Sequence, residues 1–400
     1  MTINTADRRT VLAGAAALLA AGAARAESVT LPFGNGQRPL ATYPEKRPML
    51  LLTERPPQLE TPFEVFDHGA FTPNDAFFVR YHLAGTPPRG LDPATYRVKV
   101  QGAIDKPLDL SLQDLRRDFP AVELAAVNEC SGNGRGFSSP RVAGGQLAEG
   151  MMGNALWRGV SVKALLDRAG VKATAQAVEF NGADRPQMPS VADFVKGLAI
   201  DHARNGEVML AYEMNGAPLP LLNGYPVRLV VPGWFATYWM KMLSNIEAID
   251  TIDENFWMKT AYRIPDTPGN TVTPTQTGFA TIPINTLVVR SFVTNLRDGD
   301  TLKAKPQTVR GVAFDRGSGI KTVQFSADGG ARWHNAALGD DYGRHSFRQW
   351  HVDFAPVRGK TYELACRAVA NSGETQTTIP VWNAGGYLRN PIETYRVSVA

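Results

Sequence analysis

Cys130 lies in a loop whose residue types could bind a metal. It stands in the segment Asn128-Glu-Cys-Ser-Gly-Asn-Gly-Arg135, where turn-forming residues follow the cysteine. Such residues bend the backbone tightly and let its amide groups approach a ligand closely. A thiolate is a soft donor that favours soft transition metals. The segment therefore predicts a metal site with Cys130 as the ligand.

Arg80 and His82 form a second candidate site, in the segment Phe77-Phe-Val-Arg-Tyr-His82. Side chains alternate between the two faces of a strand, so Arg80 and His82 would share one face, opposite Val79 and Tyr81. An arginine beside a histidine can bind an anion. The same alternation fits two polar residues on a solvated strand face, and this segment alone does not distinguish the two.

Further basic residues occur in the stretch from Asn215 to Lys241, which contains paired turns and a Pro-Gly dipeptide. Arg228 lies within a strand pattern there. This arrangement suits a long polar ligand bound along backbone amides and Arg228, with Lys241 nearby. The tryptophans and tyrosines at 234–239 favour core packing over ligand contacts.

Two domains are predicted to position these residues. Up to about residue 280, strand patterns such as 96–100 mix with helix patterns such as 160–168. The Pro/Thr/Gly-rich stretch 264–283 predicts a linker. Beyond it, short strands at 286–292, 307–314, 320–326, 351–354 and 362–370 have the spacing of an immunoglobulin-like β-sandwich.

Tyr262 lies just before the predicted linker and could reach a cleft at the domain boundary. Its segment alone favours a buried tyrosine with a satisfied hydroxyl.

The first 26 residues have the features of a twin-arginine export signal. Arg8 and Arg9 precede an alanine- and leucine-rich run, and Ala24-Arg-Ala26 offers the small residues that a signal peptidase cleaves after. The apolar run is too short to span a bilayer, so we expect it to be removed. These features predict a periplasmic protein without a membrane anchor, exported after it has folded.

The composition is that of a soluble globular protein, with 44% hydrophobic and 20% charged residues. Cleavage after residue 26 removes three arginines and one aspartate, which lowers the formal net charge from +4 to +2. So small an excess, without a basic run, argues against nucleic acid as a partner.

The chain has two cysteines, Cys130 and Cys366. A disulfide between them is permitted in the periplasm. Cys366 lies in an alternating strand pattern and reads as a small core residue, so we predict different roles for the two. Without a CxxC or CxxCH motif, no c-type haem or iron–sulfur cluster is expected.

Together these segments resemble the sulfite oxidase family of molybdenum enzymes, over essentially the whole chain after residue 26. The resemblance implies an α+β fold, with a mixed α/β molybdopterin-binding domain of sulfite oxidase type at 27–279. An immunoglobulin-like β-sandwich dimerisation domain would follow at 280–400, with Val323–Trp333 as its recognisable strand and turn. A homodimer is therefore expected.

The resemblance also implies the cofactor. In that family a pyranopterin dithiolene and one cysteine thiolate hold a dioxo molybdenum centre, and Cys130 matches this cysteine. Arg228 and Lys241 match positions that bind the pterin phosphate, and Asn223 stands where animal relatives have a histidine. The other cofactor-binding positions implied are Arg80, His82, Asn128 and Arg135.

The implied reaction is oxidation of sulfite to sulfate, with Arg80, His82 and Tyr262 at the substrate. The family adds an arginine from the second domain, for which Arg344 and Arg348 are both candidates. Animal enzymes of the family carry a fused haem domain, and the segment before Arg80 is too short for one. We therefore expect electrons to pass to a separate c-type cytochrome of the periplasm.

Three alternatives remain at this level. A sulfane dehydrogenase subunit, acting on sulfur bound to a carrier protein, would share the signal, cofactor and second domain. A periplasmic sulfoxide reductase of the same superfamily fits less well, because such proteins usually lack the second domain. A non-catalytic exported binding protein with Cys130 bridged to Cys366 belongs to a different class.

Overall fold

The computed structural model describes residues 27–88, 90–251 and 254–400. The export signal predicted at 1–26, with Arg8 and Arg9, lies outside these residues. Within the described ranges, no helix has both the length and the apolar character needed to cross a membrane.

The part of the chain before residue 284 is rich in short strands. They are β1 (Ser28–Thr30), β2 (Gln37–Ala41), β3 (Met49–Thr53), β4 (Gln58–Glu60), β5 (Val79–Arg80), β6 (Arg97–Gly102), β7 (Leu108–Ser111), β8 (Ala121–Glu129), β9 (Met152–Ser161), β10 (Ala177–Gly182), β11 (Val195–Ala199), β12 (Met209–Met214), β13 (Ala217–Pro218), β14 (Arg228–Val230), β15 (Leu243–Ile249), β16 (Arg263–Pro265) and β17 (Thr281–Pro283). The α-helices are α1 (Leu112–Asp118), α2 (Val162–Ala169), α3 (Ile200–Ala203) and α4 (Phe256–Lys259). Short 3₁₀ helices lie at Phe63–Asp67, Arg135–Phe137, Leu221–Asn223, Ala236–Tyr238 and Pro268–Asn270.

These strands form three main sheets. Their strand orders are β1-β2-β3-β4-β5, β11-β10-β15-β6-β7, and β13-β12-β9-β8 with β14 on β12. Strands β6 and β15 run parallel, and the other pairs are antiparallel. The longest pairing joins β8 to β9, from Ala121 opposite Val160 to Glu129 opposite Met152. The chain between these two strands, residues 130–151, is the loop that begins with Cys130.

The core of this part follows from simple patterns of apolar residues. In β6, Val98 and Val100 are buried while Arg97, Lys99 and Gln101 are exposed, as expected for a strand with one covered face. Helix α2 buries Val162, Leu165, Leu166 and Ala169, which lie on one helical face. It ends at Gly170, whose positive φ of 70° closes the helix.

The rest of the chain forms the predicted β-sandwich. Its strands are β18 (Arg290–Val293), β19 (Thr301–Leu302), β20 (Gln307–Phe314), β21 (Ile320–Ser326), β22 (His334–Asn335), β23 (Ala337–Leu338), β24 (Arg348–Phe354), β25 (Thr361–Ala370) and β26 (Glu393–Val399). One sheet has the order β18-β20-β24-β23 and the other β19-β26-β25-β21-β22. Trp350, Leu364 and Cys366 lie in the core between them.

The structure refines the predicted elements in several places. The strands predicted at 307–314 and 320–326 are found with those bounds, whereas the strand predicted at 286–292 is shorter and lies at Arg290–Val293. Strand β26 was not predicted. The predicted linker, 264–283, is tied down at both ends because β16 pairs with β17. Its turn-rich composition predicted a linker but did not reveal this short ladder.

Candidate active site

The loop after β8 holds Cys130 in a nearly closed position, with 7% of its surface exposed. Its backbone N–H donates to the Met151 carbonyl at 2.9 Å, which continues the β8–β9 ladder by one step. The chain then turns tightly, since the N–H of Asn133 donates to the Cys130 carbonyl. Gly134 completes the turn with a φ of +83°, a conformation that favours glycine. Hydrogen bonds of its N–H and its carbonyl therefore fix the main chain of Cys130.

A cavity that is partly open to solvent lies in front of this thiol, and its space, solvent included, is about 460 Å³. It brings together segments that lie far apart in the sequence and includes most of the residues predicted above. Its lining residues are Phe78, Arg80, His82, Asn128, Cys130, Ser131, Phe194, Leu222, Asn223, Arg228, Ala236, Thr237, Lys241 and Tyr262.

The segment around β5 points Arg80 and His82 into the cavity. Its alternation is as predicted: Val79 and Tyr81 are each 1% exposed and belong to a hydrophobic cluster on the opposite side. The His82 ring stacks on Phe194 with centroids 3.8 Å apart. Its Nε2 lies 2.5 Å from the Tyr262 hydroxyl. The imidazole is thus held in a defined orientation.

Both members of the His82–Tyr262 pair are uncharged at neutral pH. Burial, together with the cationic Arg80, lowers the pKa of His82 well below its usual value. Burial also raises the pKa of Tyr262, and Arg80 opposes this shift. A neutral imidazole and a protonated phenol therefore share one hydrogen bond in the cavity wall.

Tyr262 sits between α4 and β16 in an unusual backbone conformation, with a φ of +57°. For a residue other than glycine such a conformation costs about 1–3 kcal/mol and persists only where surrounding contacts enforce it. The Ile284 N–H donates to its carbonyl at 2.9 Å. The Tyr387 ring, from the second domain, stacks on its ring with centroids 5.8 Å apart.

The opposite side of the cavity is rich in buried cations. The Arg228 guanidinium lies 5.1 Å from the Trp157 ring and 5.6 Å from the Trp239 ring. The Lys241 ammonium lies 4.6 Å from the Tyr81 ring. Burial lowers the pKa of Arg228 to about 10 and that of Lys241 to about 7. Such shifts mean that the charged forms lack sufficient counter-charge here.

Asn223 connects this region to another buried lysine, Lys46. Its Oδ1 accepts from the Lys46 Nζ at 2.5 Å, and its Nδ2 donates to the Phe78 carbonyl at 2.9 Å. Burial lowers the pKa of Lys46 to about 7. The side chain of Asn223 therefore supports Lys46 as well as lining the cavity.

Several buried polar atoms in the cavity wall have no hydrogen-bond partner. They are Asn128 Nδ2, Ser131 Oγ, Arg228 Nε and Thr237 Oγ1. Leaving such a group unpaired costs about 1–3 kcal/mol. Orphaned donors, buried cations and a thiol in one cavity fit an anionic, polar group with a thiophilic metal. The residues present therefore fit the molybdopterin cofactor that the family resemblance implies.

The buried lysines predict how the stability of the cofactor-free protein depends on pH. Lys46 and Lys241 have folded pKa values of about 7 against 10.5 as the ordinary value, so between these limits the unfolded chain binds more protons. The free energy of unfolding should rise from pH 7 to 10, by at most about 1.4 kcal/mol per pH unit for each lysine.

Urea unfolding at several pH values measures this dependence. The Lys46→Met and Lys241→Met variants should each have a flatter profile, because each lacks one of the two titrating groups. Binding of a phosphate in the cavity would also flatten the profile, since an anion beside Lys241 raises the pKa of that lysine. A stability that falls between pH 7 and 10 in the wild-type chain would contradict the assignment.

Three of the predicted arginines lie outside the cavity lining. Arg135 folds back over its own loop, where its Nε donates to the Gly385 carbonyl at 2.8 Å and its guanidinium lies 5.2 Å from the Tyr387 ring. Arg344 is more than half exposed and pairs with Glu207 at 2.6 Å. Arg348 lies 3.0 Å from Asp341. Neither second-domain candidate lines the cavity in front of Cys130.

The second domain reaches the site through residues that the sequence did not reveal. Tyr387 packs on Tyr262 and also lines a second cavity of about 300 Å³. Arg389 approaches the cysteine loop, where its side chain occupies the space beside Gly134. No local pattern around 387–389 distinguishes these residues from others in a turn. Only the packing of the two domains brings them to the loop.

Two sequence families match the chain. Residues 84–257 match the oxidoreductase molybdopterin binding domain, and residues 281–400 match the Mo-co oxidoreductase dimerisation domain.

Full-length relatives and a solved structure agree with these matches. Human mitochondrial sulfite oxidase is 32% identical over 391 residues, which cover 94% of this chain and 70% of that protein. Sulfite oxidase of Gallus gallus is 33% identical, covering 88% and 79% of the two chains. The structure of the sulfane dehydrogenase SoxCD from Paracoccus pantotrophus has a TM-score of 0.73 at 24% identity, covering 100% and 93%. This last similarity shows the fold.

Proposed function

Because the chain belongs to the sulfite oxidase family of molybdenum enzymes, we propose that it is a sulfite dehydrogenase that passes electrons to a c-type cytochrome. Family membership makes the chain a molybdopterin-binding oxidoreductase. The observation that carries the finer proposal is the cavity lined jointly by Cys130, Arg80, His82 and Tyr262.

Different residues of the cavity would bind different parts of the cofactor. Cys130 would hold the molybdenum as a thiolate, because a bound metal cation favours the deprotonated sulfur. Arg228 and Lys241 would bind the pterin phosphate, which supplies the counter-charge that these cations lack. When bound, the dioxo molybdenum centre would supply two-electron oxo transfer.

A basic residue beside the cysteine supports sulfite as the proposed substrate. Sulfite is a small anion with a high charge density, and Arg80 provides a cation in the wall that also holds Cys130 and His82. The relatives from human and Gallus gallus are both named sulfite oxidases. Electrostatic stabilisation by Arg80 would continue as negative charge moves within the site.

The neutral His82–Tyr262 pair suits the proton balance of this reaction. Conversion of sulfite and water into sulfate releases two protons and two electrons. His82 is unprotonated at neutral pH because burial and nearby cations lower its pKa, so its ring would accept a hydrogen bond and pass a proton on rather than retain it. The bond to Tyr262 keeps the imidazole oriented for this role.

The electron acceptor and location complete the proposal. The twin-arginine pattern at Arg8 and Arg9 supports export of the folded protein to the periplasm. A c-type cytochrome is a soluble one-electron acceptor of that compartment. The match of residues 281–400 to a dimerisation domain supports a homodimer.

Elemental analysis of the purified protein, combined with sulfite-dependent reduction of cytochrome c, tests the proposal. We expect close to one molybdenum per chain and turnover with sulfite. Molybdenum without sulfite turnover would instead support action on carrier-bound sulfur. Absence of molybdenum, in protein purified from a host that makes the cofactor, would contradict the proposal.

Thiol titration tests the remaining alternative, a binding protein held by a disulfide. Cys130 and Cys366 are both free thiols, and both are buried. We therefore expect two reactive thiols per chain after denaturation in the absence of reductant. A Cys366→Ala variant should show one. Fewer thiols in the wild-type chain would indicate the disulfide.

A further inference from the structure

A buried arginine of the sandwich, Arg290, reaches the cysteine loop without lining the cavity. It lies on β18, is 2% exposed, and its guanidinium packs 4.5 Å from the Phe292 ring. One amino group donates to Glu129 Oε1 at 2.6 Å and the other to Glu149 Oε1 at 3.1 Å. These two glutamates belong to the first domain, so the arginine bridges the domain interface.

The two glutamates flank the loop that contains Cys130. Glu129 is the last residue of β8 and directly precedes the cysteine, and Glu149 lies three residues before β9. The planar fork of an arginine can bind two oxygens in a fixed geometry, which a lysine cannot do. Arg290 therefore joins both ends of the loop to one rigid strand of the second domain.

Glu129 also hydrogen-bonds to Asn133, a residue of the turn that follows Cys130. The same Oε1 that Arg290 binds also accepts from Asn133 Nδ2 at 3.0 Å. The Asn133 Oδ1 in turn accepts from the Met151 N–H at 3.0 Å, and the Met151 carbonyl accepts from the Cys130 N–H. A continuous set of hydrogen bonds therefore runs from Arg290 to the backbone of Cys130.

Stability alone does not explain this arrangement. Glu129 is 1% exposed, and burying an ion pair so completely costs about as much as the pairing returns. A pair of apolar side chains of similar volume would fill the space at equal or lower cost. What the ions add is a fixed direction for the bonds that shape the loop.

We propose that Arg290 is a positioning residue, which orients the Cys130 loop from the second domain so that the thiol points into the cavity. The inference rests on the proposed role of Cys130 as the metal ligand. It explains how the second domain can be required for the site although the cavity lining in the described chain runs only from Phe78 to Tyr262.

Four full-length variants separate positioning from simple stabilisation. Arg290→Leu leaves Glu129 buried without its guanidinium and should lower the unfolding temperature. Arg290→Leu combined with Glu129→Leu removes the most buried pair, while Arg389 remains beside Glu149 and Glu393, and should recover much of that loss. Arg290→Lys keeps a charge but not the fork. Arg310→Leu removes a more exposed interdomain pair, with Asp67, and serves as the control for loss of an ion pair between the domains.

Alkylation rates of the two cysteines in the cofactor-free chain give the decisive readout. Cys366 packs in the sandwich beside β18, so a general loosening would expose both thiols together. We expect Cys130 to react at least about fivefold faster in the double variant, with Cys366 unchanged. The Arg310→Leu control should match the wild type. Arg290→Lys should fall between the wild type and the double variant.

Equal acceleration of both thiols, or a Cys130 rate in the double variant equal to that of the wild type, would overturn the inference. Because these rates require neither molybdenum nor sulfite, they decide it even if the wild-type chain shows no sulfite turnover. In the loaded protein the double variant should also have altered spectra of its thiolate-bound metal, at an unfolding temperature close to that of the wild type.

Discussion

Replacing Cys130 with serine is expected to abolish sulfite oxidation while leaving the fold intact. A serine hydroxyl is a harder donor than a thiolate and stays protonated at neutral pH, so it is a poor ligand for a soft metal. Loss of a residue that merely supports a metal ligand already costs about ten- to a hundredfold, and loss of the ligand itself should cost more. The loop keeps its backbone bonds, because none of them uses the thiol.

Molybdenum content, sulfite turnover and the unfolding temperature should be measured together in Cys130→Ser. Cys366→Ala is the matched control, since it removes the other buried thiol from the sandwich core. The control should lose stability but retain metal and turnover. Near-normal sulfite oxidation by Cys130→Ser would refute the whole assignment of the site.

Replacing Arg80 with glutamine is expected to lower kcat/KM for sulfite by about a hundredfold, which corresponds to about 2.7 kcal/mol. Truncating one partner of a buried charged pair typically costs about 2–5 kcal/mol. Glutamine keeps a hydrogen-bond donor and most of the volume but removes the charge. The loss should appear mainly in KM if Arg80 binds the anion equally before and during reaction, and in kcat if it acts on developing charge.

The same variant should change the pH dependence of the reaction. Burial is the main cause of the low pKa of His82 and Arg80 lowers it further, so removal of Arg80 should raise that pKa by part of the shift and move the acidic limb of the pH profile upward. Arg80→Lys should retain most of the shift. Arg344→Gln, which changes an exposed arginine outside the cavity, should give a profile and kcat/KM close to those of the wild type. Equal losses in both arginine-to-glutamine variants would contradict the placement of Arg80.

Local patterns were sufficient for the parts of the site that depend on one segment. The alternation around β5 placed Arg80 and His82 opposite Val79 and Tyr81 because side-chain direction in a strand follows a period of two. The turn-forming residues after Cys130 likewise predicted a tight loop. In both places the chemistry and the geometry are encoded within a few residues.

The contributions of the second domain could not be predicted in this way. Arg344 and Arg348 were chosen by residue type and approximate position, but the packing of the sandwich directs them to Glu207 and Asp341. Tyr387 meets Tyr262 across 125 positions of sequence, and no periodicity encodes such a meeting. Contacts of this kind depend on how two folded surfaces fit together.

The packing of Arg228 against two contacting indoles provides the protein with an optical reporter. Trp157 and Trp239 are buried, lie 5.6 Å apart and both contact the guanidinium proposed to bind the pterin phosphate. A reduced pterin absorbs in the near ultraviolet, where buried indoles emit, so energy transfer over such short separations would quench them. Tryptophan fluorescence would then report in real time, without substrate or acceptor, how completely the chain is loaded.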